Sequence, residues 1–165
     1  VILGVVLAGW KLFKPNVIIH NLTELFVYGA LAAIFAPLLS IYSVIILLLL
    51  ISVYDYIAVC KTKHMIKMAK SQEKAKVFAG LLIPYGKNAA ILGGGDIGFP
   101  LLFSGVVMQH FSFGLLNWQV YLVPVFAALG LLTLFLWGDG KKFYPAMPFI
   151  TAGCLIALGL VFLFT

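Results

Sequence analysis

LLSIYSVIILLLLISVYDYIAVC, residues 38–60, is an unbroken apolar run whose one charged side chain is Asp55. At 1.5 Å per helical residue the run exceeds the roughly 30 Å hydrocarbon core of a bilayer. It is continuous rather than alternating, so it reads as a spanning helix and not as a barrel strand. The rest of the chain agrees, with 64% hydrophobic and 10% charged residues over 165 positions. The mean hydropathy is +1.15. A soluble domain carries about 25% charged residues, and a water-facing surface cannot be built from fewer than half that share. The fold class is therefore all-α, a polytopic transmembrane helix bundle.

Outward from this run, further spans are expected at 17–36, 89–113, 118–137 and 145–164, with Pro37 breaking the long apolar stretch before residue 38. The opening VILGVVLAGW is too short to cross, so residues 1–14 read as the end of a span whose start, with further helices, lies upstream. It lacks a preceding basic segment and so does not read as a signal peptide. The whole is expected to be one transmembrane catalytic domain, 1–165. All basic side chains are lysines: Lys11 and Lys14, Lys61 through Lys87, and Lys141 with Lys142. If the chain alternates sides, all of them fall on one face, which the positive-inside rule makes cytoplasmic. Residues 61–88 are then a cytoplasmic basic loop. Trp10, Trp118 and Trp137 fall at expected span ends, as interfacial aromatics do. The net charge of +6 is topological and gives no reason to expect nucleic-acid binding. Cys60 and Cys154 differ in expected depth by roughly 10 Å, too far for a bridge, and neither has zinc-site spacing.

Of the five acidic residues, Glu73 and Asp139 sit among loop lysines and read as solvated charges. Intramembrane carboxylates cost about 2.5 kcal/mol or more and usually mark function. Asp55 lies six residues before Lys61, and Asp96, in ILGGGDIGFP, lies nine after Lys87. On antiparallel helices these separations place both acids roughly 9 and 13 Å from one membrane face. Brought together, two carboxylates share a proton. One then takes a proton from an attacking water while the other donates a hydrogen bond to the scissile carbonyl. This chemistry uses no metal or cofactor and no nucleophilic side chain. Gly93, Gly94 and Gly95 loosen the helix beside Asp96 and admit a close backbone. Gly94 and Gly98 also form a small-xxx-small packing pair. Pro145 and Pro148, in Tyr144-Pro145-Ala146-Met147-Pro148, keep the chain extended on the face that both aspartates approach.

Ser52-Val53-Tyr54-Asp55, Gly93-Gly94-Gly95-Asp96 and Pro145-Ala146-Met147, in that order, resemble the S-x-Y-D, G-x-G-D and Pro-Ala-Leu motifs of presenilins and signal peptide peptidases. The resemblance runs from about residue 38 to the end. It implies an aspartic-type intramembrane endopeptidase with Asp55 and Asp96 as the catalytic pair. It further implies that Tyr54, Gly93, Gly94, Gly95, Pro145, Ala146 and Met147 position substrate. Met147 stands where the family usually has Leu, a volume-conserving change, and Gly94 fills the variable position. The lysine distribution resembles presenilin orientation, implying substrates with their N-termini outside. The short recognisable part resembles a microbial homologue, hence a multi-pass protein of a microbial plasma membrane. The implied partners are transmembrane substrates and the bilayer, with homo-oligomerisation left open. By the same resemblance, residues 77–85 pair with an unwound substrate as an added strand.

Other features read more plainly. Lys63, Lys67, Lys70 and Lys74 share a helical face suited to anionic lipid headgroups, but a positive-inside loop is the preferred reading. His20 and Glu24, four residues apart, are expected to satisfy each other within the bundle, His110 to be interfacial, and His64 to lie in the basic loop. The main rival is an ion- or proton-coupled transporter or cation channel using the same acids. It leaves unexplained why both acids and the proline segment approach one face. The proline motif also argues against a prepilin-type peptidase. Serine and zinc intramembrane proteases lack their G-x-S and H-E-x-x-H signatures here.

Overall fold

The computed structural model describes residues 17–60, 80–85, 88–114, 117–137 and 144–165. The expected partial span at 1–14, most of the 61–88 loop, and all the lysines on which the orientation rests lie outside the described residues. So do Glu73, Asp139, His64 and Trp10.

The first helix, α1, covers Val17–Phe35. It ends in a 3-10 turn, Ala36–Leu38, that contains Pro37. Leu39 leaves this turn extended, at φ −109° and ψ 138°. Pro37 has no N–H to continue the ladder, so the chain breaks where the sequence suggested. The second helix, α2, covers Ile41–Cys60. The Ser40 hydroxyl opens it by accepting the Ser43 N–H at 3.2 Å, an N-cap bond.

A hairpin follows, which the all-helical outline lacked. Strand β1, Gly80–Tyr85, pairs antiparallel with β2, Asn88–Gly93, in a register from Gly80↔Gly93 to Tyr85↔Asn88. One edge of 80–85 is thus taken by the chain's own next segment. The span expected at 89–113 becomes a helix, α3, only at Gly94, and runs to His110. Gly93 is its extended N-cap, at φ −61° and ψ 141°. Three consecutive glycines disfavour helix and set its start late. At its far end Phe113 N–H donates to Met108 O (2.9 Å) and Ser112 N–H to Gln109 O (3.1 Å). This is the Schellman pattern, with Ser112 in the left-handed position at φ 52°.

A 3-10 turn, Trp118–Tyr121, leads into α4, Leu122–Trp137, and the last helix, α5, covers Met147–Leu163. Pro145, expected inside the final span, precedes α5, and Ala146 is its N-cap. Among the described residues, three apolar segments are long enough to cross a membrane: Val17–Leu38, Ile41–Cys60 and Trp118–Leu136. α3 and α5, at 17 residues each, are shorter.

The core centres on α5. Ile150, Cys154, Ala157 and Val161 are almost fully buried against Val44 and Leu48 of α2, Phe103, Val106 and Val107 of α3, and Val123 of α4. α4 and α5 touch backbone to backbone. A Cβ on Gly130 would fall 3.0 Å from Phe149 C, and one on Gly153 would fall 2.8 Å from Phe126 C. Small residues allow this approach, which in lipid takes the place of a hydrophobic driving force. The outer faces are apolar too: Ile18, Leu50 and Leu163 are 74%, 64% and 75% exposed. Such faces suit lipid rather than water, and the molecule is an integral membrane helical bundle.

Candidate active site

Asp55 sits in the last turns of α2 and is 5% exposed. Its Oδ2 accepts the Met147 backbone N–H at 3.1 Å. The Ala146 amide bears on the same carboxylate. Local sequence explains the bond. α5 begins with no side-chain cap of its own, and Pro148, its second residue, has no N–H. An aspartate from another helix therefore caps α5, and the positive end of the helix dipole favours a carboxylate there. Through this bond the Pro145-Ala146-Met147 segment reaches Asp55, and Pro145 and Met147 are buried beside it.

Asp96 lies in the first turn of α3 and is partly buried. Its carboxylate turns back over the helix start. A Cβ on Gly93 would stand 3.2 Å from Asp96 Oδ2, tighter than side chains usually pack. Asp55 and Asp96 interact electrostatically across the gap between α2 and α3. The count of residues from Lys87 does not measure the depth of Asp96. Residues 88–93 are strand, rising about 3.3 Å each rather than 1.5 Å.

The glycines divide their work. Gly93 makes room for the Asp96 carboxylate, and Gly94 lies under the ring of Tyr28, where a Cβ would fall 2.7 Å from Cζ. Gly95 would meet only Phe99, at an ordinary 3.5 Å. α1 and α3 bound an apolar cavity of about 380 Å³ lined by Tyr28, Leu31, Phe35, Gly94, Phe99 and Leu102, among others. Tyr54, expected to position substrate, is 68% exposed and is not drawn in with its neighbour Asp55.

His20 and Glu24, expected to satisfy each other, each hydrogen-bond to another group. His20 Nε2 donates to Gly80 O at 3.0 Å, joining α1 to β1. The Glu24 carboxylate accepts from the Tyr28 hydroxyl at 2.7 Å. The i, i+4 spacing of Glu24 and Tyr28 was visible in the sequence, and each has a partner on its own helix face. Tyr28 is the site residue that sequence reasoning missed.

The signal-peptide peptidase, presenilin aspartyl protease family matches residues 1–92 of the 165. The matched part includes Asp55 and stops short of Asp96. No curated protein matches the chain. By this match, which covers more than half its length, the chain belongs to the signal-peptide peptidase, presenilin aspartyl protease family.

Proposed function

We propose that this protein is an intramembrane aspartyl endopeptidase that hydrolyses peptide bonds of transmembrane substrates with Asp55, Asp96 and an activated water. One observation carries the reading: two carboxylates from separate helices lie within electrostatic reach of each other in a largely apolar bundle, and one of them caps a proline-bounded helix start. Isolated structural acids in lipid find neutral or cationic partners; two acids within electrostatic reach of each other disfavour a fold and need a reason.

The chemistry follows. The pair holds one proton between two carboxyl groups. The ionised member takes a proton from water as the water oxygen bonds to the scissile carbonyl carbon. The protonated member donates a hydrogen bond to the carbonyl oxygen and stabilises the oxyanion. Return of a proton to the amide nitrogen lets the C–N bond break, giving a carboxylic acid and an amine. The Met147 N–H holds Asp55 Oδ2 and the Ala146 amide bears on the same carboxylate, which together fix the group that we assign to water or the shared proton. Pro145, Ala146 and Met147 orient that carboxylate, and the glycines clear backbone space beside Asp96. We further propose that the lysine-rich side is cytoplasmic and that substrates place their N-termini outside.

The test is cleavage of a tagged single-span substrate in liposomes by wild type, Asp55→Asn and Asp96→Asn, each confirmed folded. Loss of cleavage in both variants supports the reading. Normal cleavage by both refutes it, and ion flux across the same liposomes would then examine the transporter alternative.

A further inference from the structure

The turn that carries Asp96 is poorly held by its own helix. Gly93, Gly94 and Gly95 precede the aspartate, and Pro100 stands four residues after it. Proline has no N–H, so the Asp96 carbonyl lacks its i+4 helical donor, and the ring crowds that carbonyl. Glycine adds backbone freedom in the same turn. Asp96 therefore needs support from outside α3.

Tyr28 of α1 gives that support. It is 8% exposed, and its ring lies in the groove left by Gly94 and Gly98, the small-xxx-small pair of α3. A Cβ on Gly98 would be 3.8 Å from Tyr28 Cδ1, an ordinary contact. On Gly94 it would stand 2.7 Å from Cζ and 3.1 Å from Cε1. Ring and glycine therefore fit only as a pair. The ring cannot swing freely, because its hydroxyl is tied to Glu24, itself 9% exposed. One turn before Glu24 on α1, His20 holds Gly80, the residue paired with Gly93 in the hairpin. α1 thus meets the junction of β2 and α3 directly at Gly94 and holds the β1 residue opposite Gly93.

We propose that Tyr28, oriented by Glu24, is a positioning residue for Asp96, acting through Gly94. The inference rests on the protease reading of Asp96. The expected signature is a fall in kcat at unchanged KM, since the contact fixes the acid rather than the substrate.

The test is a double-mutant cycle on the full chain in liposomes, with rates expressed per folded molecule. Gly94→Ala should lower kcat about tenfold or more while KM stays within about twofold. Adding Tyr28→Leu, which removes the obstructing ring, should restore at least about threefold of that loss. Rates that combine as independent factors overturn the inference. Should Gly94→Ala not fold, Tyr28→Phe decides: it keeps the ring and removes only the tie to Glu24. A kcat lower by about threefold at constant KM supports positioning, and a wild-type kcat overturns it. Asp55→Asn and Asp96→Asn separate the two possible failures. If they cleave like wild type, the protease reading fails; if they are inactive while the cycle is additive, only this inference fails.

Discussion

A methyl group placed on Gly153 has to find room against the backbone of α4. The ideal Cβ would stand 2.8 Å from Phe126 C and 3.3 Å from Ala127 Cα, with Phe126 O nearer still. Carbon atoms rest at about 3.5 Å or more, so the helices must part by at least about 0.7 Å. The obstruction is main chain, which no rotamer change relieves. Overpacking of this kind costs about 1–3 kcal/mol, against a helix-propensity gain of at most about 1 kcal/mol for replacing glycine. The net expectation for Gly153→Ala is a loss of about 1–2 kcal/mol. The displacement also reaches the site, because α5 begins at Met147. Moved along its bond to Asp55 Oδ2, the Met147 N–H would go from 3.1 Å to about 3.8 Å, outside hydrogen-bonding range. Misplacement on this scale costs up to about 10²-fold in rate. Thermal unfolding in detergent and cleavage rate per folded molecule measure both effects. Gly159→Ala is the internal control: it lies on the same helix with nothing within 4 Å of its Cβ, so the variant should be neutral or slightly more stable. If Gly153→Ala proves as stable and as active as Gly159→Ala, the close α4–α5 crossing and its link to the site are wrong.

Other substitutions probe separate parts of the account. Phe103 is fully buried, so Phe103→Ala should cost about 3–5 kcal/mol in a denaturation experiment. Met147→Leu keeps the backbone donor and the side-chain volume, and should retain cleavage within about threefold. Ser112 holds a left-handed φ of 52° at the end of α3; Ser112→Gly should raise stability by about 0.5–1 kcal/mol, visible as a higher unfolding midpoint.

Much of this arrangement is legible in the sequence because lipid imposes few solutions. Continuous apolar runs force helices, Pro37 forces the break, and Asp55 and Asp96 stand out because acids are rare in such runs. The hairpin was not legible. Residues 89–93 are a short apolar segment without alternation, and such runs read equally as strand or helix. Only pairing with Gly80–Tyr85 decides between them. The capping of α5 by Asp55 was hidden for a related reason: donor and acceptor lie 92 residues apart, and no local pattern announces such a bond. Glu24 and Tyr28 could be paired by spacing, but that Tyr28 rests on Gly94 depends on how α1 crosses α3. Tyr54 is 68% exposed while its motif neighbour Asp55 is buried, a difference in helix face that the motif alone does not announce.

The central claim is that Asp55 and Asp96 act as one unit on a hydrated carbonyl. Binding of a peptide isostere carrying a hydroxyl-bearing carbon at the scissile position tests it most directly, measured for wild type, Asp55→Asn, Asp96→Asn and the double variant. For groups that act together, each single substitution should abolish tight binding, and the double should lose no more than either single. Wild-type affinity in a folded single variant, or losses that add in the double, would contradict the account.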